Sequence, residues 1–380
     1  MTIETKHTRP LLAVATSAIL ALGAAACGGD EGSGGSGGSG GSTAAASDTK
    51  LSGEIAGAGA SSQEAAQAAW IAGFQEANPE VTISYDPIGS GGGREQFIAG
   101  GSTLYGGTDA AFADEELTGA QERCGGADKF VEVPVYVSPI AIIYNVEGVD
   151  ALQLTPATLA KVFKGEITEW NDPEIAKENE GVELPGERIT VVHRSDESGT
   201  TENLQDYLSQ VAGDVWDFEV SGDWPVKGQE AADGTSGVVD AVTNGANTIG
   251  YADASQAQDL GVAKIQVGDS YAEPTPEAAA KILEASKEAE GGGSNQITYE
   301  LARDTQEAGT YPIVLVSYAM ACTEYESADD AKVVAGFLQY VVSEEGQQAA
   351  AENAGSAPLS DAVRQEVEPI VATIGAGAAS

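Results

Sequence analysis

The sequence predicts an α/β protein, and three observations carry that prediction. Short apolar runs recur along the chain, separated by segments with helical spacing of their apolar residues. Of the 380 residues, 42% are hydrophobic, an ordinary share for a chain that folds around a core. A chain of that length corresponds to about two domains.

The first fifty residues stand outside that alternation. Lys6 and Arg9 precede a nearly unbroken apolar run, Leu11 to Ala26, that ends in small residues before Cys27. The run has 16 residues; a membrane span needs roughly 20. It therefore reads as a secretory signal over residues 1–26. The small residues followed by Cys27 resemble the lipobox of bacterial lipoproteins, with Ala24 where Leu is typical. That resemblance implies lipidation of Cys27; the alternative is cleavage near Ala26 with Cys27 left as a thiol. Gly28 to Ser42 holds nine Gly and four Ser, so residues 27–50 read as a flexible tether reaching roughly 25–29 Å.

From residue 51 onward the elements follow in order. Ala65 to Ala77 is expected to be a helix, with Ala66, Trp70 and Phe74 on one stripe and Asn78-Pro79 as its stop. Val81 to Tyr85 alternates as a strand, and a Gly-rich turn then leads into a short helix through Phe97 and Ile98. Phe130 to Asn145 is β-prone despite Pro134 and Pro139, long enough for two strands or for one crossing between domains. Thr155 to Phe163 reads as a helix capped by Thr155 with Pro156 first. Ile189 to His193 is an expected strand and Thr201 to Val211 a helix; Ile249 to Ala252 and Lys264 to Val267 are short strands. Pro276 to Glu290 reads as a helix stopped by three glycines, and Ile313 to Ala319 as a strand. Asp329 to Val342, Glu344 to Asn353 and Asp361 to Ile374 complete a helical end. No internal repeat and no membrane span beyond the leader is found.

Charge narrows the function. With 59 acidic and 18 basic residues the net charge is −41. Nucleic acids and anionic membranes are bound through Lys and Arg clusters, so neither is an expected partner. Bulk charge of this sign also repels small anions. Cys124 and Cys322 remain after Cys27; in a secreted chain they form either a disulfide, the expectation here, or two buried thiols.

Four segments carry chemistry: Gly57-Ala58-Gly59-Ala60-Ser61-Ser62, Ile88-Gly89-Ser90-Gly91-Gly92-Gly93, Gly107-Thr108-Asp109-Ala110, and His193-Arg194-Ser195-Asp196-Glu197-Ser198-Gly199-Thr200-Thr201. Three of them place Gly and hydroxyl residues at expected helix starts, where free N–H groups and the helix dipole favour an anion. Any one alone is explained by capping. Three together, with Arg194 offering a fork of donors, point to an oxyanion. The first misses a dinucleotide G-x-G-x-x-G because Ser62 stands at its last position.

These segments, in this order, resemble the phosphate-binding protein of the bacterial high-affinity phosphate ABC transporter. The resemblance runs from about Leu51 to Glu366. It also includes Lys164-Gly165-Glu166-Ile167-Thr168-Glu169-Trp170-Asn171-Asp172, Asn247-Thr248-Ile249-Gly250-Tyr251, Tyr311-Pro312-Ile313 and Ala357-Pro358-Leu359. It implies a two-lobed, periplasmic-binding-protein-like fold of type II, with a hinge between lobes and the ligand in the cleft. The lobes would be 51–135 plus 313–374, and 136–312. Carried over by position, Ser61, Ser62, Ser90, Asp109, Arg194, Ser198, Gly199 and Thr200 would contact phosphate, and Asp196 would hold the Arg194 guanidinium. Glu197 stands where relatives often have Gly. The implied partners are inorganic phosphate and a permease–ATPase complex, with the membrane reached only through the lipid anchor, on the outer face of the cell membrane. The protein is expected to be a monomer.

Asp109 carries a physical argument of its own. Phosphate near neutral pH keeps at least one proton, which an ionised carboxylate accepts, whereas sulfate has none to give. Catalysis finds no support. His193 is the one His beyond the leader, and no Cys/His cluster or P-loop occurs. Ser198 lacks a base with its orienting partner. Acidic clusters such as Asp114-Glu115-Glu116 lack a calcium-loop pattern and read as solvated. No cofactor, metal or enzyme activity is expected. The alternatives are a receptor for sulfate or molybdate, or a secreted phosphoester hydrolase.

Overall fold

The computed structural model describes residues 51–112, 114–257, 259–290 and 293–379. The expected leader, Cys27 and the tether lie outside the described residues. In chain order the elements begin β1 (Ser52–Gly59), α1 (Glu64–Ala77), β2 (Glu80–Asp86), α2 (Ser90–Ala99), β3 (Thr103–Thr108), α3 (Asp114–Cys124) and β4 (Phe130–Asn145). They continue with β5 (Gln153–Leu154), α4 (Pro156–Lys164), α5 (Pro173–Glu178), β6 (Thr190–Arg194), α6 (Gly199–Val211), β7 (Glu230–Ala232), α7 (Gly234–Asn244), β8 (Thr248–Asp253) and β9 (Gly261–Val262). Then come β10 (Lys264–Val267), β11 (Ser270–Ala272), α8 (Pro276–Ala285), β12 (Lys287–Glu288), β13 (Tyr299–Glu300), β14 (Val314–Cys322), α9 (Ala328–Val342), α10 (Glu344–Ala354) and α11 (Asp361–Val371).

One mixed sheet runs in the order β2-β1-β3-β14-β4-β8-β6-β7, with β9 beside β4. The βα repeats at each end give parallel pairs, β1 with β2 and β3, and β6 with β7 and β8. The centre is antiparallel: β14 lies against β3 and β4, and β4 against β8. Helices supply the remaining layers, as alternating βα sequence requires.

β4 joins the two ends of the sheet. Its first part, Phe130 to Pro139, pairs with β14, and Ile140 to Asn145 pairs with β8. Of the two expectations for this run, a single continuous strand is found rather than two. Every residue of it except Asn145 is buried, which is why it reads as continuous hydrophobic sequence rather than alternation. Pro134 has no N–H to give, and the register shifts between Ser317 and Tyr318: Ser317 faces Tyr136 while Tyr318 faces Pro134, leaving Val135 as an extra residue.

The stripe Ala66, Trp70 and Phe74 of α1 is buried as its spacing requires. Thr155 caps α4 by accepting from the Thr158 N–H at 3.2 Å, with Pro156 at the first position. Three helix boundaries differ from expectation by two residues or more, one being α11, which ends at Val371 rather than Ile374. α6 starts two residues early, at Gly199, because Ser198 is its cap. α8 ends at Ala285 rather than Glu290, because Ser286 turns extended and donates its hydroxyl to Ile282 O at 2.6 Å. Lys287 and Glu288 then pair with Tyr299 and Glu300 as a small antiparallel ribbon. Cys124 at the end of α3 and Cys322 at the end of β14 form a disulfide, with Cα atoms 5.2 Å apart. Among the described residues no helix is long and apolar enough to cross a membrane, and no group of three or more His, Cys, Asp or Glu is placed to hold a metal.

Candidate anion-binding site

The four chemical segments converge at the ends of strands. β1 ends at Gly59, and Ser61 and Ser62 form a single 3-10 turn before α1. Gly59 is required there: a Cβ on it would fall 1.9 Å from Gly107 O on β3, and its φ is +147°. β3 delivers Thr108 and then Asp109. Ser90 is the first residue of α2, and β6 delivers Arg194 ahead of the capped start of α6. All eight predicted contact residues are buried.

Asp109, 3% exposed, is the centre of the cluster. Ser62 donates to its two carboxylate oxygens at 2.7 and 2.8 Å, Ser317 to Oδ1 at 2.6 Å and Thr200 to Oδ2 at 3.2 Å. Its N–H donates to Ser90 Oγ at 3.1 Å, and Asn203 donates to its carbonyl at 2.8 Å. Burial pushes the carboxyl above its ordinary value, while the hydroxyls of Ser317, Ser62 and Thr200 and the charge of Arg194 pull it down.

Arg194 is held from two sides. Its Nε donates to Asp196 Oδ1 at 2.7 Å and a terminal nitrogen to Oδ2, a bidentate pair. Its other terminal nitrogen reaches Thr235 Oγ1 at 3.4 Å. Asp196 also accepts from the Gly234 N–H at 3.1 Å. Burial raises the Asp196 carboxyl, but the Arg194 hydrogen bond and charge outweigh it and hold it below the usual range. The Ser61 and Thr235 hydroxyls lie 2.9 Å apart. Ser198 Oγ accepts from the Thr201 N–H at 3.2 Å as the α6 cap, so its oxygen is engaged with its own helix.

Four contributors have no local signature in the sequence. Ser317 sits in an apolar strand and Thr235 at the start of α7. Asn203 lies one turn into α6. Arg94 of α2 donates to Glu197 Oε1 at 2.7 Å, to Glu116 Oε2 at 2.8 Å and to Thr108 Oγ1 at 3.1 Å. The charge that Glu197 brings beside the site is thus matched by Arg94, and Glu116 belongs to this network rather than to a purely solvated face. His193 stacks on Trp224, ring centroids 5.5 Å apart, and its Nδ1 lies 2.8 Å from Arg194 O. Burial lowers its pKa.

The arrangement offers one guanidinium, several hydroxyls and the first N–H groups of two helices, around one carboxylate. It suits a small tetrahedral oxyanion.

Comparison with known proteins agrees with that chemistry. The family model of the PBP superfamily domain matches residues 44–345. The phosphate-binding protein PstS 3 of Mycobacterium tuberculosis is 34% identical over 367 residues, covering 94% of this chain and 97% of its own. PstS of Xylella fastidiosa is 30% identical over 303 residues, covering 79% and 80%. A periplasmic phosphate-binding protein (PfluDING) solved with phosphate is 22% identical, with a TM-score of 0.66 over 83% of this chain and 93% of that one; it shares the fold. On these matches the chain belongs to the PBP superfamily and, within it, to the PstS phosphate-binding proteins.

Proposed function

We propose that this chain captures inorganic phosphate outside the cytoplasm and delivers it to an ABC transporter permease, anchored to the outer face of the cell membrane through lipidated Cys27. The observation that carries the reading is a buried carboxylate, Asp109, placed among donors in a site otherwise suited to an anion. A carboxylate there repels any oxyanion lacking a proton and accepts from one that has it. Ser61, Ser62, Ser90, Arg194, Ser198, Gly199 and Thr200 supply hydroxyls, N–H groups and the guanidinium, with Asp196 fixing Arg194. Three hydroxyls converge on the one carboxylate as its donors, and the relatives that match most of the chain are phosphate-binding proteins, so the reading is binding, not hydrolysis.

The lobes are proposed as 51–135 plus 313–374, and 136–312, closing about the crossings at β4 and before β14. The bonds from Thr200 to Asp109 and from Arg94 to Glu197 join residues of the two proposed lobes, which supports reading this as a closed form. Calorimetric titration with phosphate and with sulfate tests the reading. Phosphate is expected to bind tightly and sulfate roughly 10⁴-fold more weakly. Tight sulfate binding, or no phosphate binding to ligand-stripped protein, would overturn it.

A further inference from the structure

The hydroxyl groups around Asp109 do more than satisfy it. An ionised carboxylate has about four acceptor positions. Ser62, Ser317 and Thr200 bring one O–H proton each, the Ser62 proton being shared between both oxygens at 2.7 and 2.8 Å. All three side chains are buried and lie on different elements: the turn before α1, β14 and α6. Ser317 is aimed by the register shift opposite Pro134, a feature of the sheet rather than of any ligand loop. Gln63 donates to Ser317 Oγ at 2.5 Å, which turns the Ser317 proton toward Asp109 or the Thr108 carbonyl, 3.2 Å away.

We propose that Ser317 and Ser62 are specificity-determining positioning residues. With Thr200, they bring three protons to the about four acceptor positions of Asp109; Ser62, whose single proton serves both oxygens, can yield one of them to a proton brought by the oxyanion, and the set keeps the carboxylate from carrying a proton of its own. The inference rests on the phosphate reading above. A protonated Asp109 would itself donate to an oxyanion, and discrimination against an unprotonated ion such as sulfate would be lost.

The surroundings bear on the titration. Arg194 of β6 favours the ionised form, while burial opposes it. Asp253 of β8 and Tyr85 of β2 feel the Asp109 charge. Arg94 of α2 bonds the adjacent Thr108, and Glu202 of α6 and Tyr318 of β14 line one pocket together with Asp109. Burial lifts Asp253 to about 6, and Glu132 of β4, which accepts from Phe112 N–H just beyond Asp109, to about 7, so each contributes a pH limb of its own. The Asp253→Asn and Glu132→Gln variants identify those limbs.

The test measures phosphate and sulfate affinity against pH for the wild type, Ser317→Ala and Ser62→Ala, each also with Asp253→Asn and with Glu132→Gln. Removing one donor raises the pH at which Asp109 takes a proton. The phosphate-over-sulfate ratio is then expected to fall about ten- to a hundredfold near neutrality, with its pH midpoint moved upward in both variants. Wild-type protein that binds no phosphate would overturn the functional reading itself. Wild-type binding with an unchanged ratio and midpoint in both variants would overturn this inference alone. Should Ser317→Ala fail to fold, Ser62→Ala, on a separate element, decides the matter in the same way.

Discussion

Glu132 sits on β4 with no exposed surface, accepting from the Phe112 N–H at 2.8 Å and from Gln296 at 2.9 Å. Through Phe112 it steadies the loop that leaves Asp109. Burial pushes its carboxyl up from 4.5 to about 7, against the pull of those hydrogen bonds and of Arg94. The folded state then keeps a proton that the unfolded chain releases between those two values. Stability from this group is full below about pH 4.5 and is lost as pH rises through about 7. Glu132→Gln is expected to flatten that loss, which amounts to at most about 3 kcal/mol. Urea unfolding of both proteins on either side of the transition would show it; equal slopes would remove Glu132 from the account.

At the scale of elements, the Gly-rich start of α2 receives the loop between β6 and α6. A Cβ on Gly91 would lie 2.4 Å from Glu197 Cδ and 2.7 Å from its Cβ, so Ala there must displace Glu197 from Arg94. The Gly91 N–H also donates to Glu197 O at 3.2 Å. Gly91→Ala is therefore expected to speed phosphate release about tenfold. The ligand-free protein should be as stable or slightly more so, since Ala favours the helix by up to about 1 kcal/mol. Stopped-flow release and a thermal melt separate the two effects. The same contact explains what was legible in sequence. Glycines and hydroxyls at helix starts announce an anion site because the requirement is local. Arg94, Thr235 and Ser317 give no such signal, because their roles exist only once α2, α7 and β14 are brought to Asp109, Arg194 and Glu197. α7 likewise gives no helical signal, being Val-rich with three glycine or threonine residues in its first turn, and is supported by packing on β6 and β8. α8 ends short of its expected stop because Ser286 ends the helix with its own hydroxyl, before the glycines that follow.

For the whole molecule, the net charge of −41 and the choice of ligand are reconciled by where the cations lie. Arg94, Arg194 and Arg303 are buried. Arg303 bonds Asp206 and Asn203 of α6 and the carbonyls of Pro312 and Val314, tying α6 to the strand that returns through the sheet. These three guanidinium groups sit inside on fixed geometry, while the other basic residues are outnumbered by carboxylates, which leaves the surface acidic. In the proposed site an anion would be held by directed donors rather than by the field of the protein, and a low local dielectric strengthens such donors.

The Cys124–Cys322 bridge has a sequence separation of 198 residues, and β6, α6, α7 and β8 all lie within that span. Topologically, half the molecule is a loop threaded between two anchored points. A single protease nick anywhere between them leaves one covalent molecule, which should migrate as the intact chain on a non-reducing gel and as two fragments after reduction. Two fragments without reductant would mean that the loop is not closed.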